Sequence, residues 1–535
     1  MNKKKHSDTD KNSHAENVYR KIHLLNKVGI ALSAEKNFSN LLEQILAGAK
    51  KITNADGGTL YLLNENKKLE MVVVQTDSLN IHLGGKTDKP ISFKPVSLYN
   101  EDGSSNLNMV VTRAVIEDKT INIDDAYNTE GYDFSGTYEF DQSTGYHSKS
   151  FLAVPMKNHE NDVIGVLQLI NAKSLGTENI ISFTKGNQQL VESLASQAAV
   201  TITNKHLLDD QNKLFSSLVQ LIATAIDEKS PHTSSHCERL PIITMFLANA
   251  AHITKEGPLK SFEMTESDRY ELEVAAWLHD CGKLTTPESV VDKSTKLERL
   301  VDRIELIDLR LEIMKRDAEI EKLKGLENNL NEKKVNRDYK EKIKELTEAS
   351  IFLRRHNKGV ELMQEDDIKK VQNLAKLQWK DKHGNTYPLL NHDELNNLCI
   401  IKGTLTENER EIINNHIVAT IKMLDTLSFP KSLKNVPEYA GGHHERVDGK
   451  GFPKGLKGEQ MSVQAKIMAI ADVFEALTAR DRPYKDPMKL SQAVSILKKM
   501  SETGHIDPDL FEVFINQSVH IKYANEYLLP EQNDL

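Results

Sequence analysis

The sequence predicts a multidomain chain in which an α+β domain precedes an all-α domain that carries a long helical insert. Two observations suggest this: strand-like hydrophobic patterning gives way to helix-like patterning near residue 184, and a strongly charged segment lies between about 295 and 400. The length of 535 residues exceeds what one hydrophobic core supports, so two or three domains are expected. The composition, 39% hydrophobic and 27% charged, is ordinary for a globular protein.

The first domain is expected to span residues 18–184, after a polar, disordered tail at 1–17. A helical pattern covers 18–55. Two strand-rich stretches follow, GGTLYLLNENKKLEMVVVQ from Gly57 and FLAVPMKNHENDVIGVLQLINAK from Phe151. Each has a polar turn at its centre, which predicts a β-hairpin. Helix followed by paired strands and then another helix is typical of an α+β sensory domain.

Residues 185–229 predict a connecting helix, because apolar residues recur every three or four positions. This stripe fits either a parallel coiled coil in a homodimer or the ordinary packing of an amphipathic helix, and both interpretations stay open. The members of the stripe are Leu190, Leu194, Ala198, Ile202, Leu214, Leu218 and Leu221.

The second domain is expected to span residues 212–535, with an insert at about 295–400. The insert combines apolar residues at helical spacing with many charges. That pattern predicts long solvated helices, arranged as a hairpin that packs on the domain or on a partner.

Charge and cysteine usage exclude several classes of protein. The net charge of −9 argues against nonspecific binding to long nucleic acid. Three cysteines without a CxxC pattern do not form a disulfide framework, so a reducing cytoplasm is expected. The first residues lack the apolar core of a signal peptide, and the sequence has no run of ~18 apolar residues that would span a membrane.

The strongest chemical signal is a set of histidines and aspartates in apolar, helix-like contexts. Such groups are costly to bury unless something pairs with them. Several of them converging on one point would hold divalent metals, and two adjacent metals form a phosphodiester-cleaving site. They are His236 in HTSSHCERL, His279 and Asp280 in AAWLHDCGK, His416 in REIINNHIVA, His443 and His444 in GGHHERVDGKGFP, and Asp472 in IMAIADVFEAL.

Two of these motifs predict helices with defined beginnings. His232 and His236 are four residues apart and would share one face of a helix that has Pro231 in its first turn. His416 would lie within a helix capped by Thr406.

The HDCGK motif ends an apolar helix with charged residues. Asp280 could bridge two cations through its two oxygens, while His279 supplies a nitrogen to one of them. Lys283 would meet phosphate oxygens as a point charge. His443 and His444, if helical, would point about 100° apart and serve different metals.

Cationic and aromatic residues near these motifs predict an anionic nucleotide substrate. Arg446 and Lys450 occupy a Gly- and Pro-rich loop with Phe452, which could stack on a base or anchor the loop against the core. Arg482 and Lys485 in ARDRPYKD could clamp a phosphodiester.

Together the motifs HDCGK, HHERVDGKGFP and DRPYK resemble the HD-GYP family of the HD phosphohydrolase superfamily, over roughly 212–300 and 400–520. The resemblance implies phosphate contacts by Lys283, Arg482 and Lys485. Phe452 stands where the family has Tyr. His232 occupies the place of an additional ligand found in three-metal members. The metal ligands that the resemblance implies are His236, His279, Asp280, His416, His443, His444 and Asp472.

The stretch TGYHSKSFLAVPMKNHENDVIGVLQLINAK resembles the core of GAF domains in cyclic-nucleotide phosphodiesterases. The family signature is Asn-Lys, Phe and Asp-Glu. Here Ala172 separates Asn171 from Lys173, and amides follow Phe183 where acids are expected. This resemblance implies a sensory domain with a small-molecule ligand of unknown identity.

The expected function is a cytoplasmic, GAF-regulated phosphodiesterase that hydrolyses a cyclic dinucleotide, first of all cyclic di-GMP to pGpG and GMP. Two divalent ions, iron or manganese, would be the cofactors, with a third ion as an open alternative. Asp280 and Lys283 would be catalytic. The rival hypotheses are a nucleotide-binding adaptor without turnover and an HD phosphohydrolase acting on a hybrid cyclic nucleotide.

Overall fold

The computed structural model describes residues 3–35, 37–87, 89–174, 176–229, 235–360, 362–480 and 487–535. The chain divides into two compact units, Met1–Lys213 and Leu214–Leu535. The long predicted helix, observed at Lys185–Lys229, contains the boundary between them.

The first unit is built on an antiparallel sheet. Its strand order is β3-β2-β1-β7-β6-β5, with β4 paired to β2 and β8 paired to β7. The strands are β1 Ala55–Leu63, β2 Lys68–Thr76, β3 Ile81–Gly84, β4 Val96–Ser97, β5 Ile121–Ile123, β6 Phe151–Lys157, β7 Val163–Lys173 and β8 Ile180–Ile181. The helices are α1 Lys3–Ala34, α2 Phe38–Thr53, α3 Val110–Ile116, α4 Ser135–Thr144 and α5 Lys185–Lys229.

Both predicted hairpins, β1–β2 and β6–β7, are confirmed, and their turns follow from local chemistry. Lys67 adopts a left-handed backbone, and the amide N–H of Lys68 donates to Asn64 Oδ1. In the second turn, Asn158 Oδ1 accepts from the amides of Glu160 and Asp162. Asn side chains commonly replace backbone acceptors in tight turns.

The central strands are covered on both faces, because neighbouring residues of one strand belong to different core clusters. Leu60 belongs to a core cluster formed with α2 and α5, whereas its neighbour Tyr61 belongs to a second cluster formed with α3. Successive strand residues point to opposite faces, so one strand supplies both cores. The polar region 76–150, which the hydrophobic pattern left unassigned, supplies this second cover through α3 and the loops around it, and it adds β3 and β5 to the edges of the sheet.

The N-terminal segment differs from its prediction. Helix α1 begins at Lys3, within the stretch 1–17 whose composition predicts a disordered tail. Extending an existing helix costs far less than nucleating one, and the amphipathic segment from residue 18 onward provides that nucleus.

The second unit is mainly helical, with a core formed chiefly by α6, α7, α15, α16, α18 and α19. Among the residues that the structure describes, no helix has the length and apolar character needed to cross a bilayer. The helices are α6 His236–Ile253, α7 Glu266–Leu278, α8 Glu288–Val291, α9 Ile304–Glu327, α10 Glu332–Asn357, α11 Glu365–Ala375, α12 His392–Leu398, α13 Glu407–Asn414, α14 His416–Asp425, α15 Val436–Gly441, α16 Val463–Thr478, α17 Leu490–Glu502, α18 Pro508–Asn516 and α19 Val519–Tyr527.

The insert contains the predicted helical hairpin, α9–α10, and has a hydrophobic core of its own that includes Leu311, Leu346 and Leu353. It departs from the all-α prediction in one detail, a short two-stranded sheet formed by β9 Gln378–Lys380 and β10 Thr386–Pro388. At its base the buried Lys293 Nζ donates to Asn397 Oδ1 at 2.7 Å and pairs with Glu409 at 2.8 Å. This contact ties both ends of the insert to α13.

Candidate metal centre

Five separate segments of the second unit bring the predicted metal ligands together. His236 is the first residue of α6, and His279 and Asp280 directly follow α7. His416 begins α14, the His443–His444 pair lies in the turn after α15, and Asp472 lies within α16. Their side chains form two groups, each within 4.8 Å and large enough to hold a metal ion. The groups are His236, His279 and Asp280, and His416, His443 and His444.

Asp280 belongs to the first group and also contacts the second. Its Oδ2 is 3.0 Å from His279 Nε2 and 3.7 Å from His236 Nε2, while Oδ1 is 3.1 Å from His416 Nε2. Asp472 adjoins the first group, with Oδ1 3.4 Å from His236 Nε2. The Asp280 carboxylate, with one oxygen near each group, can bridge two neighbouring cations.

The HDCGK segment approaches α14 closely because Gly282 has no side chain. A Cβ at this position would lie 1.9 Å from the backbone carbonyl oxygen of His416. The Gly282 amide instead donates to Thr420 Oγ1 at 2.9 Å. The glycine of the motif therefore brings Asp280 within reach of His416.

Three of the imidazoles are held by the same local contact. The Nδ1–H of His279 donates to the carbonyl of Ala276 at 2.8 Å, and that of His443 donates to Ala440 at 2.6 Å. His416 Nδ1 makes the equivalent bond to the carbonyl of Ile413. Because a carbonyl only accepts, each ring is protonated on Nδ1, which makes Nε2 the nitrogen that can bind a cation.

The fourth imidazole is oriented by a carboxylate that the sequence interpretation missed. His236 Nδ1 bonds to Glu475, which is 1% exposed, and Glu475 Oε1 accepts from Arg239 Nε at 2.7 Å. Carboxylate–histidine pairs of this kind are common behind metal ligands. Glu475 lies three residues after Asp472 in the apolar stretch IADVFEAL, and this spacing on one helix face was the available signal.

Several ligand atoms have no hydrogen-bond partner among the described residues. They are Asp280 Oδ1, His416 Nε2 and His443 Nε2, all buried. Burying polar atoms without partners is costly, so these atoms indicate a missing partner at their centre. Imidazole and carboxylate donors suit divalent iron, manganese or zinc, and the residues present therefore fit the metals that the motif implies.

The electrostatics of the centre agree with this donor set. Burial lowers the pKa of His443 well below its ordinary value and that of His444 to about 4, so both rings are neutral, the form that binds a metal. Burial alone would raise the pKa of Asp280, but His279 and Lys283 hold it well below its usual range. Burial opposes protonation of His236, but the carboxylates of Glu475 and Asp472 raise its pKa to about 10, so a metal that binds this ring would have to displace a proton.

A cavity of about 440 Å³ opens beside the centre, lined by both ligand residues and predicted substrate contacts. Its lining residues are His444, Arg446, Lys450, Phe452, Asp472, Val473, Ala476, Leu477 and His505. The Phe452 ring stacks on His444, with ring centroids 4.9 Å apart. Arg446 pairs with Asp448 at 2.8 Å, and Lys450 is largely exposed. The predicted contacts Arg446, Lys450 and Phe452 are therefore brought together.

Lys283 also belongs to this region. Its Nζ donates to Asp280 Oδ2 at 2.6 Å. Burial opposes its charge, but the Asp280 carboxylate outweighs burial and raises the pKa of Lys283. It is a fixed cation beside the bridging carboxylate. Arg482, Lys485 and His232 lie outside the described residues.

Helix α6 begins at His236, after a left-handed Ser235, and the helix face predicted for His232 and His236 falls partly outside the described residues. Two other local predictions are wrong. The capping box at Thr406 exists, but the helix it starts ends at Asn414, and His416 opens the next helix. His443 and His444 lie in a turn, not on a helix. In both cases the residues lie at or just beyond a helix end, where the periodicity of a continuous helix does not set the direction of the side chain.

Comparison with known proteins supports both halves of the chain. Residues 37–202 match the GAF domain family and residues 391–510 match the HD domain family. The chain joins a GAF domain to an HD domain. The HD domain match includes His416, His443, His444 and Asp472, while His236, His279 and Asp280 precede it and join them in space.

Curated relatives align with the same region. One is the 3'3'-cGAMP-specific phosphodiesterase 1 of Vibrio cholerae, 39% identical over 116 residues, which are 22% of this chain and 26% of that one. A cyclic di-GMP phosphodiesterase of Pseudomonas aeruginosa is 37% identical over 114 residues, 21% of this chain and 26% of that one. A cyclic di-GMP phosphodiesterase of Thermotoga maritima is 36% identical over 113 residues, 21% and 30% of the two chains.

The chain thus spans about a quarter of the length of the first relatives it matches. These relatives confirm the HD-GYP resemblance of the HD domain, and the match at 37–202 confirms the GAF resemblance.

Proposed function

We propose that the chain is a metal-dependent phosphodiesterase that hydrolyses a cyclic dinucleotide, first of all cyclic di-GMP, to the linear dinucleotide and GMP. The observation that carries this proposal is the convergence of unpartnered Nε2 and carboxylate atoms around Asp280, next to a cavity with cationic residues. Two divalent ions, iron or manganese, would occupy the centre, where they would lower the pKa of a water molecule and neutralise phosphate charge.

The residues of the chain have distinct parts in this reaction. Asp280 holds its two oxygens toward the two histidine groups, and Lys283 places its ammonium 2.6 Å from that carboxylate. A phosphodiester bound against the histidine groups would therefore find a fixed positive charge for the developing charge on its oxygens. Arg446 and Lys450 would hold the remainder of the substrate in the adjoining cavity.

The names of the relatives support two different substrates. The names of some give cyclic di-GMP, and those of others give 3'3'-cGAMP. We place cyclic di-GMP first and the hybrid dinucleotide second. Comparing kcat/KM for cyclic di-GMP, 3'3'-cGAMP and cyclic di-AMP with the full chain decides the order.

The deciding experiment combines metal analysis with hydrolysis assays on the purified full chain. We expect about two equivalents of iron or manganese and release of linear dinucleotide. A chain that binds the cyclic dinucleotide tightly but releases no product with any divalent metal would instead be an adaptor, and the proposal would be overturned.

The exposed face of α5 supports a homodimer. Val200, Leu207, Leu214 and Leu221 recur every seven residues and are 37%, 55%, 62% and 63% exposed. In contrast, Leu194, Ala198 and Ile202 of the predicted stripe are buried in the core of the first unit. Ordinary core packing therefore accounts for the buried residues of that stripe, and the coiled-coil interpretation applies to the exposed ones. An apolar repeat of seven on an exposed helix face fits a parallel coiled coil with a second copy.

The double variant Leu207→Glu, Leu214→Glu tests this dimer by light scattering coupled to size exclusion. We expect the molar mass to fall from that of a dimer to that of one chain, and a wild type that is already monomeric would contradict the proposal. Leu362→Glu, which replaces an equally exposed leucine (59%) in the insert, is the matched control.

The GAF domain is the proposed sensor, with a small molecule as its ligand and α5 as the element that transmits the signal. The signature residue Asn171 serves the fold: its side chain donates to the carbonyl of His147 and accepts from the amide of Lys149, both at 2.8 Å. Ligand screening by thermal shift, followed by assays of hydrolysis with each hit, tests the sensor. Hits that stabilise the chain without changing its hydrolysis rate would contradict regulation.

A further inference from the structure

His505 lines the cavity beside the metal centre but belongs to none of the motifs that predict the site. It lies in the turn between α17 and α18, far along the sequence from the histidine groups. Its side chain is half-buried, and the described residues give its ring no hydrogen-bond partner. A partly buried imidazole that faces a substrate cavity unpaired has both ring nitrogens available to a ligand.

The segment that carries His505 is rigidly attached to the loop with the predicted substrate contacts. The Asp448 amide donates to the carbonyl of Gly504 at 2.9 Å, and Asp448 in turn pairs with Arg446. Gly504 has a left-handed backbone (φ 70°), and a Cβ there would lie 3.1 Å from the Asp448 Cβ. The close approach of these two segments fixes the position of His505 relative to Arg446.

A second set of contacts holds the other side of His505. Its own amide donates to the carbonyl of Met500 at 2.8 Å, and the next side chain, Ile506, is 2% exposed. Asp507 caps α18 and pairs with Lys466 of α16 at 2.9 Å. The imidazole is therefore presented from a backbone that cannot easily shift, as a recognition residue requires.

The chemistry of the cavity determines what His505 would contact. His444 and Asp472 of the metal centre line the cavity, and the phosphodiester to be cleaved would bind beside them. Phe452, Val473 and Leu477 offer apolar surface for the flat face of a base. The ring nitrogens of His505 then remain for the hydrogen-bonding edge of that base.

We infer that His505 is a specificity-determining residue that hydrogen-bonds the base of the substrate nucleotide bound in this cavity. The inference rests on the proposed function, because it requires a cyclic dinucleotide at the metal centre. A hydrogen bond to one base edge discriminates between guanine and adenine, whose edges present different donors and acceptors. His505 would thus act on the choice between the dinucleotides and not on the chemical step.

The test compares His505→Ala and His505→Gln with wild type on two kinds of substrate. For the preferred cyclic dinucleotide, we expect KM to rise about tenfold in His505→Ala with kcat within about twofold, as loss of roughly one hydrogen bond predicts. Discrimination among cyclic di-GMP, 3'3'-cGAMP and cyclic di-AMP should shrink. Hydrolysis of bis(p-nitrophenyl) phosphate, which has no base, should not change. His505→Gln keeps a donor and an acceptor and should recover part of the affinity.

Each other outcome overturns the inference in a recognisable way. Unchanged KM and unchanged discrimination would remove His505 from recognition, while the proposed function would stand. Equal losses with the dinucleotide and with bis(p-nitrophenyl) phosphate, or a loss of bound metal, would make His505 a structural support of the centre. A wild-type chain that cleaves bis(p-nitrophenyl) phosphate but no cyclic dinucleotide would refute the proposed function itself. His383→Ala, at an exposed turn of the insert, is the control.

Discussion

Asp141 of the GAF domain and the histidine–aspartate cluster of the HD domain are both buried polar groups, but only Asp141 makes all of its hydrogen bonds within the chain. In the GAF domain Asp141 is 5% exposed and accepts from Tyr127 Oη, Ser148 Oγ and the Ser148 amide, each at 2.7 Å. In the HD domain His416 Nε2, His443 Nε2 and one oxygen of Asp280 have no hydrogen-bond partner among the described residues.

This difference separates structural polar groups from functional ones. A buried polar group whose hydrogen bonds are all made within the chain stabilises the fold. A group of buried donors and acceptors that point at one another without bonding leaves space and lone pairs for a ligand. On this basis Asp141 serves the fold, and the histidines around Asp280 are candidates for the proposed metal site.

The largest loss of bound metal and of hydrolysis is expected when Asp280 is replaced. In Asp280→Ala both histidine groups lose their shared carboxylate, so bound metal should fall below half of the wild-type content and hydrolysis should fall by at least about a thousandfold. Metal analysis and product release by chromatography measure the two effects. Asp366→Ala, which removes a 96% exposed carboxylate of the same unit, is the control. Activity that survives Asp280→Ala would contradict the assignment.

A smaller loss is expected when the carboxylate behind His236 is neutralised. Glu475→Gln keeps the shape of the side chain but weakens its hold on His236 Nδ1, so metal affinity should fall roughly 10- to 100-fold. Competition with a chelating dye measures the affinity. Glu266→Gln, at a 97% exposed position of α7, should bind metal as wild type does. An affinity equal to wild type in Glu475→Gln would show that Glu475 only supports packing.

Metal should stabilise the HD domain and leave the GAF domain unchanged. A ligand that binds only the folded form at 100 times its Kd stabilises that form by about 2.7 kcal/mol. We therefore expect a chelator to lower the Tm of one transition, assigned by hydrogen exchange at the α7 and α14 amides. A chelator that speeds hydrogen exchange equally in the strands of the GAF domain would contradict a metal site confined to the HD domain.

The smallest effect should come from removing Asp141, the carboxylate that makes its hydrogen bonds within the GAF domain. Asp141→Ala removes an acceptor from three donors, so the free energy of unfolding of the GAF domain should fall by roughly 1–3 kcal/mol. Denaturant unfolding measures this loss, while the metal content stays at the wild-type value. A change in metal content without a loss of stability would reverse the roles assigned to the two domains.

The sequence was sufficient for those features that depend on local pattern. Alternating apolar residues around Asn64 and Asn158 predicted both hairpins, and helix α5 was predicted to within a few residues. In these cases the deciding interactions lie within one element or one hairpin. The candidate metal-binding residues were found from short motifs, and the fold brings them together from separate segments.

Features set by long-range contacts were missed. The roles of Glu475 and His505 depend on partners in α6 and in the loop at Arg446, more than 50 residues away for His505 and 239 away for Glu475. The strands β3, β4 and β5 are only two to four residues long, so their pairing depends on the neighbouring strands and not on their own pattern. The helix break before His416 likewise follows from packing around the centre.

The most direct test of the central claim is electron paramagnetic resonance of the metal-free full chain titrated with Mn²⁺. Asp280 lies between two histidine groups, so we predict that about two ions bind and show the exchange-coupled signal of a carboxylate-bridged pair. A saturated sample that shows only the six-line signal of isolated Mn²⁺, or that binds no Mn²⁺, would contradict a shared centre.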